Sequence, residues 1–195
     1  MAGRRSWRTG VFYVEPVFRS VHSLPKLWSV TWNRGFLADG DRVVVSMAPS
    51  YMGLLKFKEP GQVKAALKKL GFADVRETSE GAVLVTREYA DLLEQGTMEN
   101  IITTCCPSVN DLIEIYYPKL VPYLAPVVSP MIAHGRLLKK EYGADTKVVF
   151  LGPCIAKKKE SMDLRHNDCI DAVLNFQEVE SWLKQEQIEI QECEA

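Results

Sequence analysis

Two short runs, Arg42-Val-Val-Val-Ser-Met47 and Lys147-Val-Val-Phe-Leu151, restrict the fold more than anything else in the chain. Both are apolar and β-branched without alternation, the pattern of strands covered on both faces. Each ends in a loop, Ala48-Pro49-Ser50 after the first and Gly152-Pro153-Cys154 after the second. Helical patterns lie between them. Pro60 and Gly61 open one in which Val63, Ala66, Leu67 and Leu70 share a face, with Gly71 as its stop. A second is expected over residues 81–93, with Val85, Tyr89 and Leu92 apolar and Gln95-Gly96 closing it. Pro107 fits the first position of a third, which reaches Tyr117, and Ser129-Pro130 opens a fourth that ends near Gly143. Ile101-Ile-Thr-Thr104 reads as a further strand. Asp171-Ala-Val-Leu174, followed by a helix from Phe176, completes the alternation. Strands separated by helices predict an α/β fold, a sheet flanked by helices with its sites beyond the strand carboxyl ends.

The composition, 47% hydrophobic and 25% charged over 195 residues, is that of a globular domain and argues against disorder, collagen or coiled coil for the chain as a whole. A formal net charge of -1 conceals an asymmetry, because residues 1–36 carry Arg4, Arg5, Arg8, Arg19, Lys26 and Arg34 against Glu15 alone. Trp7, Trp28 and Trp32 also fall there. The expected division is therefore an atypical basic segment over 1–36, disordered or read out of frame, and a main body over 37–195. Arginine with tryptophan can favour nucleic acid or membrane, but no amphipathic period or motif organises the segment, so neither partner is expected. No apolar run approaches a membrane span, and the start lacks a secretory signal, which places the protein in the cytoplasm.

All five cysteines, Cys105, Cys106, Cys154, Cys169 and Cys193, lie in the second half. An odd number without a signal argues against a disulfide framework, and the absence of any Cys-x-x-C pair removes zinc ribbons and ordinary ferredoxin loops. Metal binding or plain burial remains. Cys105 and Cys106 stand where a strand gives way to a helix, whose free N–H groups favour a metal-binding thiolate. His22, His134 and His166 have no ligand-spaced partners and read as structural or solvent-facing. Lys157-Lys158-Lys159 reads as a solvated run.

Thr104-Cys105-Cys106-Pro107, Tyr117-Pro118, Ser129-Pro130 with Gly135, and Pro153-Cys154-Ile155-Ala156-Lys157-Lys158 resemble, in order, the signatures of the iron-iron (iron-only) hydrogenase catalytic domain. Ala48-Pro49-Ser50 and Leu67-Lys68-Lys69-Leu70-Gly71-Phe72 resemble the beginning of that domain. The resemblance covers roughly residues 37–190 and implies the first lobe of the catalytic domain. It also implies a 4Fe-4S cubane bridged to a two-iron centre, where protons and electrons combine reversibly to dihydrogen. On the matching positions Cys106 and Cys154 resemble two cubane ligands, Cys105 the proton-carrying thiol, and Lys157 the donor to an anionic iron ligand. Glu88 and Asp91 resemble two acids of the proton path.

Several positions depart from the family pattern. Ala125 stands where a serine of the proton path is expected, and Gly152 and Met131 stand where active members carry a methionine and a polar residue. These departures suit divergent, sensory-type members. The remaining two cubane ligands belong to a Cys-x-x-x-Cys motif that this sequence lacks, and neither Cys169 nor Cys193 matches a ligand position. The expectation is a truncated, inactive piece of an iron hydrogenase. It would be served by a ferredoxin-like electron carrier or completed by a C-terminal hydrogenase fragment. The alternative is a non-catalytic iron-sulfur module in regulation or hydrogen sensing. Codons compatible with Ser20-Val21-His22-Ser23, shifted by one base, can spell Cys-Pro-Gln, as a ferredoxin-like reading of the first segment requires.

Overall fold

The structure is a computed structural model that describes residues 30–163, 165 and 169–195, so the expectations on residues 1–29 and on His166 lie outside the described residues. Strands β1 (Val43–Met47), β2 (Asp74–Glu77), β3 (Lys147–Leu151) and β4 (Ala172–Leu174) form one parallel sheet in the order β2-β1-β3-β4. The helices are α1 (Val30–Ala38), α2 (Tyr51–Leu54), α3 (Pro60–Lys69), α4 (Ser79–Gln95), α5 (Pro107–Tyr116), α6 (Pro130–Tyr142), α7 (Ala156–Glu160) and α8 (Phe176–Gln185). None of the described helices is long and apolar enough to cross a membrane.

The period of two along each strand divides the core. Val43, Val45, Met47, Val149, Leu151, Ala172 and Leu174 face the side where Val63 and Leu67 of α3 and Val179, Trp182 and Leu183 of α8 pack. Val44, Val148, Phe150 and Val173 face the opposite side, against Val85 of α4 and Met131, Ile132, Ala133 and Leu138 of α6. Both faces are covered, which accounts for unbroken apolar runs in β1 and β3. The α4 and α6 helices approach closely where Gly81 meets His134: a Cβ at residue 81 would lie 2.2 Å from the Pro130 carbonyl oxygen. Helix α1 crosses the composition boundary at residue 36, since Val30, Phe36 and Leu37 pack on the α3–α8 face. Arg34 stacks 5.6 Å from the Trp182 ring and donates to Glu186 at 2.6 Å.

Residues 101–104 and β2 differ from the sequence expectation, and α1, α2 and α7 stand where it places no helix. Residues 101–104 do not join the sheet. Ile102 forms a lone parallel bridge with Leu124, donating to the Tyr123 carbonyl at 2.7 Å and accepting from Ala125 at 2.9 Å. Its β-branched pattern serves a loop pairing instead. Strand β2, conversely, carries one inward apolar residue, Val75, among Asp74, Arg76 and Glu77, because an edge strand needs apolar cover on one side and charges elsewhere.

His134 is fully buried on α6, and its structural reading takes a specific form. Its Nδ1 lies 2.8 Å from Ser46 Oγ of β1, which lies 2.9 Å from Thr78 Oγ1 at the start of α4. Among the described residues its Nε2 has no hydrogen-bond partner, and Glu80 Oε1 is 4.0 Å away. Burial pushes its pKa down from 6.5 to about 4, against a smaller upward pull from Glu80. Between those values the unfolded chain binds the extra proton, so this contribution to stability is whole above about pH 6.5 and is lost as the pH falls to 4. The shift corresponds to roughly 3 kcal/mol. Urea unfolding at pH 7 and at pH 4.5 checks it: His134→Gln should show a clearly shallower loss of stability between the two than the parent chain.

Candidate functional site at the carboxyl edge of the sheet

The strand order 2-1-3-4 reverses direction at β1, so the crevice beyond the carboxyl ends of β1 and β3 is a topological switch point. Met47 stands opposite Leu151 across this pair, and Ala48 donates to the Leu151 carbonyl at 2.8 Å. Gly152-Pro153-Cys154 therefore leaves β3 beside the loop that leaves β1. Gly152 donates to the Leu174 carbonyl at 3.0 Å, which ties this loop to β4 as well. Cys154 is half-buried, and its carbonyl accepts from Lys157 N at 3.2 Å as α7 begins.

The other cysteine motif reaches the same edge from α5. Cys106 is the residue that precedes the helix, extended and half-buried, and its carbonyl accepts from Val109 and Asn110 at 3.1 Å. Its thiol caps no helix N–H, so it is left for another partner at the positive end of a ten-residue helix. Cys105 is exposed. Lys157 joins the two motifs: its Nζ donates to the Cys105 carbonyl at 3.3 Å and to Glu160 Oε2 at 2.6 Å. Lys159 adds a second tie, to Asp111 of α5 at 2.7 Å, and Lys158 is buried against Glu178 of α8 at 2.5 Å. The triple-lysine run is thus a set of three separate ion pairs, not a solvated face. Glu160 was legible only as an i, i+3 partner of Lys157.

Glu88 lies half-buried on α4, and burial, aided by the neighbouring Asp91, holds its pKa above the usual carboxylate value. Among the described residues no hydrogen bond joins Glu88 to Cys105. The residue that does reach the cysteine loop is its neighbour Tyr89, whose hydroxyl accepts from Thr104 N at 2.8 Å and lies 3.2 Å from Thr104 Oγ1. The Thr104 hydroxyl then donates to the Ala125 and Val127 carbonyls. This chain of hydroxyls ends on backbone oxygens, so it anchors the loop and does not lead to the Cys105 thiol. Ala125 is buried and contributes only a methyl group. At Gly152 a Cβ would lie 2.6 Å from the Phe150 ring, and Met131 is buried in the α4–α6 core.

Cys169 and Cys193 are elsewhere. Cys169 is buried beneath α6, 3.8 Å from the Ile132 carbonyl, and burial pushes its thiol up to about 11. Cys193 is buried in the core on the α3–α8 face of the sheet. Among the described residues no three His, Cys, Asp or Glu side chains are grouped to hold a metal. Cys106 and Cys154 are thus the half-buried cysteines of this edge, with Cys105 exposed and Cys169 and Cys193 in the core. Large apolar side chains stand exposed around it: Ile155 beside Cys154, Met52 and Leu54 after β1, and Leu112 on α5.

The Thr104 anchor is testable. Thr104→Val should destabilise the chain by about 1–3 kcal/mol in urea unfolding, because the Ala125 and Val127 carbonyls lose their hydroxyl donor while the Thr104 amide keeps its bond to Tyr89, whereas Thr104→Ser should recover most of it.

Comparison with known proteins gives a consistent assignment. Residues 41–195 match the model of the iron only hydrogenase large subunit, C-terminal domain. The periplasmic Fe hydrogenase large subunit of Nitratidesulfovibrio vulgaris is 35% identical over 142 residues, 64% of this chain and 34% of that protein. Iron hydrogenase 1 of Clostridium pasteurianum is 31% identical over 169 residues, 75% of this chain and 29% of that protein. A variant of FeFe-hydrogenase HydA1 from Chlamydomonas reinhardtii superposes with a TM-score of 0.73 at 25% identity, covering 86% of this chain and 50% of that one. An FeFe-hydrogenase structure concerned with oxygen damage to the 2Fe subcluster of the H cluster gives a TM-score of 0.72 at 26% identity, with the same coverage. The chain spans about a third of the curated relatives it matches and half of the solved chains. Over that span, with a parallel α/β sheet carrying both cysteine motifs on its carboxyl edge, the chain belongs to the iron-only hydrogenase large-subunit family.

Proposed function

We propose that this chain forms one wall of a hydrogenase site for reversible hydrogen oxidation and proton reduction. The observation that carries this reading is the Lys157–Cys105 contact, which brings residues 104–107 and 153–158 together at the switch point. Cys106 and Cys154 are two of four thiolate ligands of a 4Fe-4S cubane. Cys105 carries protons, Lys157 donates to an anionic iron ligand, and Glu88 is an outer acid. When bound, the cubane and its two-iron centre store electrons and supply the metal at which dihydrogen is made or split.

The residues of this chain have defined tasks in that reading. Cys106 stands at the start of α5, where its thiol caps no helix N–H. Lys157 offers a charged donor at a half-covered edge, where an ammonium acts more strongly than in open water. Glu88, protonated more readily than an ordinary carboxyl, can hold a proton near the Cys105 loop. With Ala125 in place of a hydroxyl and Thr104 turned to backbone carbonyls, proton supply to Cys105 runs through water and is slow. The remaining two thiolates come from residues outside the matched span or from a C-terminal hydrogenase fragment seated on the apolar rim. A ferredoxin-like carrier exchanges electrons. The cytoplasm is the proposed location, although one relative is periplasmic by name.

Anaerobic reconstitution with iron and sulfide tests the assignment, in the presence and absence of a polypeptide bearing a Cys-x-x-x-Cys half-domain. About four irons per chain are expected only with that half-domain and should be lost in Cys106→Ser and in Cys154→Ser. The chain alone, supplied with the two-iron centre, should evolve no hydrogen from reduced viologen. Iron loading indifferent to both serine variants, or robust evolution by the chain alone, overturns the reading.

A further inference from the structure

We propose that Glu160 is the positioning residue for Lys157, the counter-charge that holds its ammonium against the Cys105 loop and leaves one N–H for the anionic ligand. The inference rests on the reading of Lys157 given above and concerns the metal-free chain. Glu160 is a buried carboxylate at the last position of α7, and it accepts from Lys157 Nζ at 2.6 Å. The two side chains are 7% and 12% exposed, so this pair is shielded from solvent. A buried carboxylate beside a site for anions repels what the site binds, unless its charge is spent on a cation. Lys157 is that cation. An ammonium has three donors. Glu160 takes one and the Cys105 carbonyl, at 3.3 Å, takes a second. The third has no partner among the described residues.

Both neighbouring lysines have carboxylates of their own. Lys158 is paired with Glu178 and Lys159 with Asp111, so each cation of the run has its own carboxylate on a different element. A four-carbon side chain is otherwise free to rotate, and one carbonyl contact does not fix it. The charged pair does, because both partners are withdrawn from water and neither can leave without exposing an uncompensated charge.

The test uses the whole metal-free chain with 15N-labelled lysine, read by proton–nitrogen correlation of the ammonium groups at low temperature. Lys157 and Lys158 should both give slowly exchanging signals, assigned by their loss in Lys157→Met and Lys158→Met. Glu160→Gln should speed proton exchange at Lys157 by at least about fivefold, or abolish its signal, while Lys158 stays within about twofold. Glu178→Gln should do the reverse. An unchanged Lys157 signal in Glu160→Gln overturns the proposal. Loss of both signals together overturns it too, since Glu160 would then only hold α7 folded. Glu160→Asp, which keeps the charge but shortens its reach, gives a second reading: exchange at Lys157 must rise, and an unaltered rate refutes the role. No cluster is present, so failure of the pair and failure of the cluster assignment are separate results.

Discussion

Parallel pairing of β1 with β3, with Met47 opposite Leu151, governs the position of every group at the sheet edge. It places the loops after both strands side by side, and it makes the crevice between them the point where the chain changes direction across the sheet. β2 and β4 extend the pair outward without changing this geometry. A slip of one residue would turn Val44, Val148 and Phe150 to the wrong layer and carry Cys154 away from the Cys105 loop. The two-faced apolar burial that stabilises the register therefore also locates the chemistry.

Polar seams do the finer placement. Thr104 is buried, and its hydroxyl and amide bind the loop of both cysteines to α4 and to residues 125–127. Lys158 and Lys159 tie that short helix to Glu178 of α8 and Asp111 of α5, and Lys157 ties it to the Cys105 carbonyl. A five-residue helix has little stability of its own, so these ion pairs and the strand end that precedes it determine where Cys154 and Lys157 sit. His134 performs a similar service on the α4–α6 side through Ser46 and Thr78, at the cost of a buried nitrogen without a partner.

The chain belongs to the iron-only hydrogenase family and spans about a third of the curated relatives it matches. Met131 and Ala125 are packed in the apolar layer, and the space beside Gly152 is filled by the Phe150 ring. The exposed Ile155, Met52 and Leu54 mark where that apolar character reaches the surface.

The sequence by itself determined the α/β alternation, the helices over residues 60–69, 79–95, 107–116, 130–142 and 176–185 to within a few positions, and both cysteine motifs at strand or helix ends. These are local properties: apolar periodicity, proline at a helix start and glycine at its end act over a few residues. The tertiary structure decided what depends on distant partners. It kept residues 101–104 out of the sheet, because the Tyr123 and Ala125 backbone claimed Ile102, and made a strand of the charged segment 74–77, because one inward Val75 suffices at an edge. It turned a lysine run into three ion pairs and selected Glu160 as the partner of Lys157. The partners of Lys158 and Lys159 lie far apart in sequence and no local pattern encodes them, while the i, i+3 spacing allows the Lys157–Glu160 pair but only the fold buries it.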